Sequence, residues 1–189
     1  MCNIYLHDYA IYCIIYTLTI KSNNIEKRGL NMSYAMLYEL LPELAMKETR
    51  TITILPGNNC NLPPGNYGLI EMYCNDKGCD CRRVFLNVMS SVTKDTVAVI
   101  AYGWESMDYY AEWFFRERVD LTELDDLDLQ SVLSLKGPCL NITSPQSKLA
   151  PTILEMVVDL VLSDKSYVNR LKRHYKLFRA KVDEDYRNE

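Results

Sequence analysis

Histidine is scarce in this chain: His7 and His174 are the only two in 189 residues. No H-E-x-x-H pair is present, and neither is a Walker loop, a G-x-G-x-x-G turn or a G-x-S-x-G elbow. The usual signatures of metalloproteases, nucleotide binders and serine hydrolases are therefore excluded. No apolar run is long enough to span a membrane as a helix. The stretch Tyr9 to Ile20 (YAIYCIIYTLTI) is apolar but far short of the roughly 20 residues a span requires. No Lys or Arg precedes it, so the basic flank of a signal peptide is missing too. Basic charge is not in excess either. A net charge of -4 argues against a globally basic nucleic-acid binder.

What the chain does have is ordinary for one globular domain. Its 189 residues, 48% hydrophobic and 24% charged, can bury a core without cysteine staples. Cysteine is plentiful and odd in number: seven, at positions 2, 13, 60, 74, 79, 81 and 139. An odd count without a secretory leader reads as reduced thiols in a cytoplasm. Residues 1–31 are expected to be an appendage, from an upstream start codon or as an extra β-strand. A conventional domain is expected over 32–189.

Periodicity predicts an α+β fold. The stripe Met36, Leu37, Leu40, Leu41, Leu44 predicts an N-terminal helix. Alternating β-branched residues over Thr51–Leu55 predict a strand. Strands over Tyr67–Tyr73, Arg82–Met89 and Asp95–Tyr102, joined by short links, predict an antiparallel meander of three to four strands. Ser106 is the expected N-cap of a central aromatic helix. Residues 117–130, rich in acids, read as a solvated connector. Two C-terminal helices follow, one from Pro151 to Leu162 and one capped by Ser163 or Asp164. The last carries the stripe Val168, Leu171, Tyr175, Phe178 and Val182.

The chemistry concentrates in one turn, Cys74-Asn75-Asp76-Lys77-Gly78-Cys79-Asp80-Cys81, a C-x4-C-x-C pattern between two predicted strands. Three soft thiolates on a hairpin turn suit Zn²⁺, Cu⁺ or an iron–sulfur cluster, and zinc wants four ligands in a tetrahedron. The fourth candidate is His174 on the last helix. Cys60, on a proline-rich loop, is the rival, and Asp76 and Asp80 are local oxygen donors. Arg82 and Arg83, next to the cluster, would depress a thiol pKa and so favour a reactive cysteine. The basic residues Arg170, Lys172, Arg173, Lys176, Arg179 and Lys181 offer a possible phosphate contact to nucleic acid, against the plainer reading of a solvated face.

The motifs C-x4-C-D-C-R-R, G-W-E-S, P-Q-S and R-H-Y, spread over residues 50–180, resemble a family of uncharacterised bacterial proteins. That resemblance implies motif positions for Cys74, Cys79, Cys81 and His174, leaves Cys60 outside them, and lends no reaction. Three functions stay open on these residues. The first is a structural zinc in a non-enzymatic module that binds a protein partner. The second is a zinc-dependent hydrolase or transferase with an open metal position. The third is a thiol redox protein.

Overall fold

The computed structural model describes residues 4–8, 34–57 and 61–188. The apolar stretch Tyr9–Ile20, Met32 and Cys60 lie outside them. A seven-stranded antiparallel sheet is flanked by six α-helices among the described residues. The strands are β1 (Ile4–His7), β2 (Tyr34–Met36), β3 (Arg50–Ile54), β4 (Gly65–Cys74), β5 (Arg83–Ser90), β6 (Thr96–Gly103) and β7 (Cys139–Leu140). The helices are α1 (Leu37–Leu40), α2 (Pro42–Glu48), α3 (Met107–Phe115), α4 (Asp126–Lys136), α5 (Ala150–Val157) and α6 (Lys165–Asn188).

Sheet order is β1-β3-β4-β5-β6-β7. The ten-residue β4 is the spine. Along one edge it pairs first with β3 (Ile54 opposite Gly65) and, further on, with β2 (Tyr34 opposite Cys74). Its other edge carries β5, which pairs in turn with β6. The predicted meander is β4-β5-β6, and the cysteine turn joins its first two strands. Strand β1 sits at the sheet edge, paired with β3.

Alternation along the strands separates two faces. Tyr67, Leu69 and Tyr73 of β4, with Val84, Leu86 and Val88 of β5, join α5 and α6 in the main core. Buried Ile153 and Val157 come from α5, and Tyr167, Leu171, Phe178 and Val182 from α6. The opposite face holds smaller clusters: Ile70 with Met89, and Tyr110 with Ala111 and Val132.

Three helical expectations are revised. Pro42 lacks an N–H and divides the predicted first helix, so α1 ends before it and α2 starts on it. The acidic connector is partly ordered: Asp125 caps α4 by accepting from the Asp128 N–H at 2.9 Å. The predicted helix to Leu162 leaves α-geometry at Val158 and finishes as a π-helical turn, Val158–Leu162. The Ser106 cap is present, its hydroxyl accepting from the Tyr109 N–H at 3.2 Å. Asp164 opens α6, accepting from the Ser166 N–H at 2.8 Å.

Candidate metal centre

Strand β4 ends on Cys74 and β5 begins at Arg83, so the turn between them must reverse the chain while presenting three thiols. The Cys79 N–H donates to the Asp76 carbonyl at 3.2 Å, which closes a tight turn. Gly78 sits at φ +67°, and a Cβ there would meet nothing within 4 Å. The glycine is therefore needed for the left-handed backbone and not for space. Arg82 is also left-handed, at φ 45°, an unfavourable conformation for a side-chain-bearing residue. Its neighbours hold it there. The Tyr110 hydroxyl donates to its carbonyl at 2.8 Å, and its own N–H reaches the Tyr175 hydroxyl at 3.4 Å.

The Sγ atoms of Cys74, Cys79 and Cys81 all lie within 4.8 Å of one another. Tetrahedral zinc with Zn–S bonds near 2.3 Å sets its sulfurs about 3.8 Å apart, so at most about an ångström of contraction is needed. Cys74 and Cys81 are buried and Cys79 is half-buried; all three are free thiols. The Cys74 thiol is pushed well up by its hydrogen bond with Cys81 and by burial, while the Asp76 N–H pulls it down. Burial, then Cys74, raises Cys79, and the Cys81 N–H opposes them. These main-chain N–H groups point at sulfur and await a negative charge. Without a metal the two thiols hold their protons. That weighs against a reactive thiolate, which needs a depressed pKa. The neighbouring arginines do not supply one. Arg82 is bound by both Asp80 oxygens (2.8 and 2.9 Å) and approaches Glu105 at 3.4 Å. Arg83 turns away to the Ser134 carbonyl at 3.1 Å.

The turn is gripped from two helices through its carbonyls. From α6, the buried Arg179 guanidinium donates to Cys74 O and Asp76 O, both at 2.9 Å, and is itself held by Asp183 at 2.6 Å. From the same helix, the Tyr175 hydroxyl lies 3.4 Å from Cys79 O. From α3, Tyr109 donates to Asp80 O and Tyr110 to Arg82 O. Gly103 makes the last contact possible, because a Cβ there would overlap the Tyr110 hydroxyl. The turn is therefore shaped by protein groups even without an ion.

His174 is not part of this cluster. It is fully buried, but its Nδ1 lies 2.8 Å from Glu71 Oε2 and its Nε2 lies 3.2 Å from Glu48 Oε2. Neither ring nitrogen is left for a metal, which corrects the expectation that His174 is the fourth ligand. The last helix does reach the turn, one and five residues further on, through Tyr175 and Arg179. Cys60, the rival fourth ligand, lies outside the described residues. Asp80 is taken by Arg82. Among the described residues, no fourth imidazole, thiol or carboxylate joins the three thiols within that distance.

A second polar region, unforeseen from the sequence, surrounds His174. Glu71 is buried on the core face and also accepts from the Tyr73 hydroxyl at 2.7 Å. Burial pushes the Glu48 carboxyl up, but His174 and Arg173 outweigh it and the net shift is down. Asp8 receives both Nη groups of Arg170, at 2.7 and 2.9 Å. A readable signal existed: Glu71 alternates with Leu69 and Tyr73, which places a carboxylate on an apolar face and demands a buried partner. Arg179 likewise falls four residues after Tyr175, on the flank of the apolar stripe.

No family model, curated protein or solved structure matches the chain. The residues themselves must carry the function. No helix among the described residues is long and apolar enough to cross a membrane.

Proposed function

We propose that Cys74, Cys79 and Cys81 bind Zn²⁺ as a structural ion in a non-enzymatic module that works by binding a protein partner. The observation that carries this reading is the convergence of three sulfurs on a turn whose carbonyls are held by Arg179, Tyr109 and Tyr110. Thiolate-rich sets suit zinc, and ligation of a preformed turn adds its binding energy to folding. Four free cysteines among the described residues fit the reducing cytoplasm proposed from composition. The likeness to uncharacterised bacterial proteins is carried forward as a proposal that adds no activity.

Elemental analysis of protein purified without added metal is the test. About one zinc per chain is expected, lost in a Cys79→Ser/Cys81→Ser variant. A folded, zinc-free protein with no zinc affinity refutes the reading. Substitution with Co²⁺ then counts thiolates by the intensity of the sulfur-to-metal band.

The count of three described donors also suits a hydrolytic or transferase zinc, which keeps one position for water. That chemistry needs a carboxylate free to serve as base. Glu105, the acid of the G-W-E-S motif, is engaged by Arg82 at 3.4 Å. The structural reading is therefore preferred.

A further inference from the structure

Two arginines converge on one carboxylate at the other end of the α6 contacts. Arg170 presents its fork to Asp8, and Arg50 of β3 brings its Nε to 2.7 Å from Asp8 Oδ1. The cations are built into the body of the fold. Their side chains are only 8% and 16% exposed, for Arg50 and Arg170 respectively, against 43% for Asp8. Both guanidinium groups lie over the Tyr167 ring, 5.0 and 5.7 Å from its centroid. Arg170 also donates to the Glu48 carbonyl at 3.2 Å, and Arg50 is 4.0 Å from Asp164. These contacts hold the arginines in place independently of Asp8.

The anion, in contrast, arrives on the outermost strand. β1 is four residues long, and Tyr5, Leu6 and His7 are exposed. Asp8 also fits its partners incompletely. The planar carboxylate aligns its two oxygens with the Arg170 fork, and its Oδ1 also lies 2.7 Å from Arg50 Nε. The buried Arg50 Nε, although close in charge contact, is left without an aligned hydrogen-bond acceptor. A buried guanidinium donor without an acceptor is costly. A tetrahedral oxyanion has oxygens outside the plane of the fork and can serve both arginines together.

We propose that Arg50 and Arg170 form a binding site for a phosphate group, free or as a monoester, in which Asp8 is the internal stand-in. The site is separate from the thiols and does not depend on the metal. Asp8, tethered next to it, competes with external anions at a high effective concentration. Removing the Asp8 charge in the full chain therefore opens the site.

The experiment is thermal unfolding of the wild type, Asp8→Asn and Asp8→Asn/Arg170→Gln, titrated with inorganic phosphate, phosphoserine, acetate or chloride at matched ionic strength. In Asp8→Asn, phosphate is expected to raise the midpoint by a few degrees above the chloride control. The wild type should need roughly tenfold more phosphate for the same rise. Acetate should do less than phosphate, and Arg170→Gln should remove the response. Phosphoserine matching or exceeding inorganic phosphate assigns a monoester; phosphoserine below it assigns the free ion. The proposal is overturned if Asp8→Asn responds to phosphate no more than to chloride, if acetate equals phosphate, or if the double variant keeps the response. Should Asp8→Asn fail to fold, the arginine side-chain NMR signals of the wild type decide. Phosphate must move those of Arg50 and Arg170, and signals that stay put overturn it.

Discussion

Glu71 and Cys74 stand three residues apart on β4 and head two regions of opposite construction. Around Glu71 the polar side chains join one another: carboxylate, imidazole, phenol and guanidinium groups form one ionic network, in which Glu71 Oε2 takes both His174 and Tyr73 and the buried Oε1 has no hydrogen-bond partner. Around Cys74 the main chain is what other side chains satisfy, while the sulfurs are left facing one another. Each region draws on α6, and the parity of the strand sends them to opposite faces. The comparison teaches why His174 is not a ligand. A histidine one residue before Tyr175 is turned toward the carboxylate side, and desolvated Glu71 has the stronger claim on it.

The largest effect should come from His174→Ala. It leaves the Glu71 carboxylate buried without its main partner, at a cost of about 3 kcal/mol in chemical denaturation. Zinc stoichiometry should be unchanged in the same sample. A drop in zinc content would mean that the two regions are one.

Next in size is Arg179→Met, which strips the donor from Cys74 O and Asp76 O. A loss of about 2 kcal/mol is expected. Competition with a chelator should show metal affinity reduced by roughly tenfold or more, because the turn is no longer held in shape. Unaltered affinity would show that the sulfurs organise themselves.

The raised thiols of Cys74 and Cys79 give two linked pH effects. Metal binding must displace their protons, so affinity should fall by up to about tenfold per displaced proton for each pH unit of acidification. Titration calorimetry in buffers of different ionisation enthalpy counts those protons. In the metal-free protein the sign reverses. A thiol raised in the folded state contributes stability fully below its ordinary value of 9.0 and loses it as the pH rises beyond that. Alkaline unfolding midpoints with and without zinc should therefore diverge.

The smallest effect is Gly78→Ala. Nothing fills the space, so only the left-handed backbone is penalised, by about 1 kcal/mol. A much larger loss would mean that the turn has no other slack.

Much of the architecture was legible because it rests on local patterns. Alternation marked β3 to β6, Ser106 and Asp164 marked helix starts, and C-x4-C-x-C marked the thiol turn. What escaped depended on contacts far apart in sequence. His174, which holds Glu71, and the turn carbonyls that Arg179 holds lie roughly a hundred residues from them, and no spacing rule links those pairs. The division of α1 from α2 was readable at Pro42. The π-helical turn at Val158–Leu162 was not, since an apolar run looks the same in either winding.

Helix α6 carries a consequence of its own. At 1.5 Å rise per residue, the nine steps from Arg170 to Arg179 form a stiff rod about 13 Å long. One end is clasped by an anion and the other clasps the thiol turn. A small axial shift or roll at Arg170 has to be taken up at Arg179, because nothing hinge-like is wound between them. If both ends bind, the factor by which zinc alters anion affinity must equal the factor by which the anion alters zinc affinity.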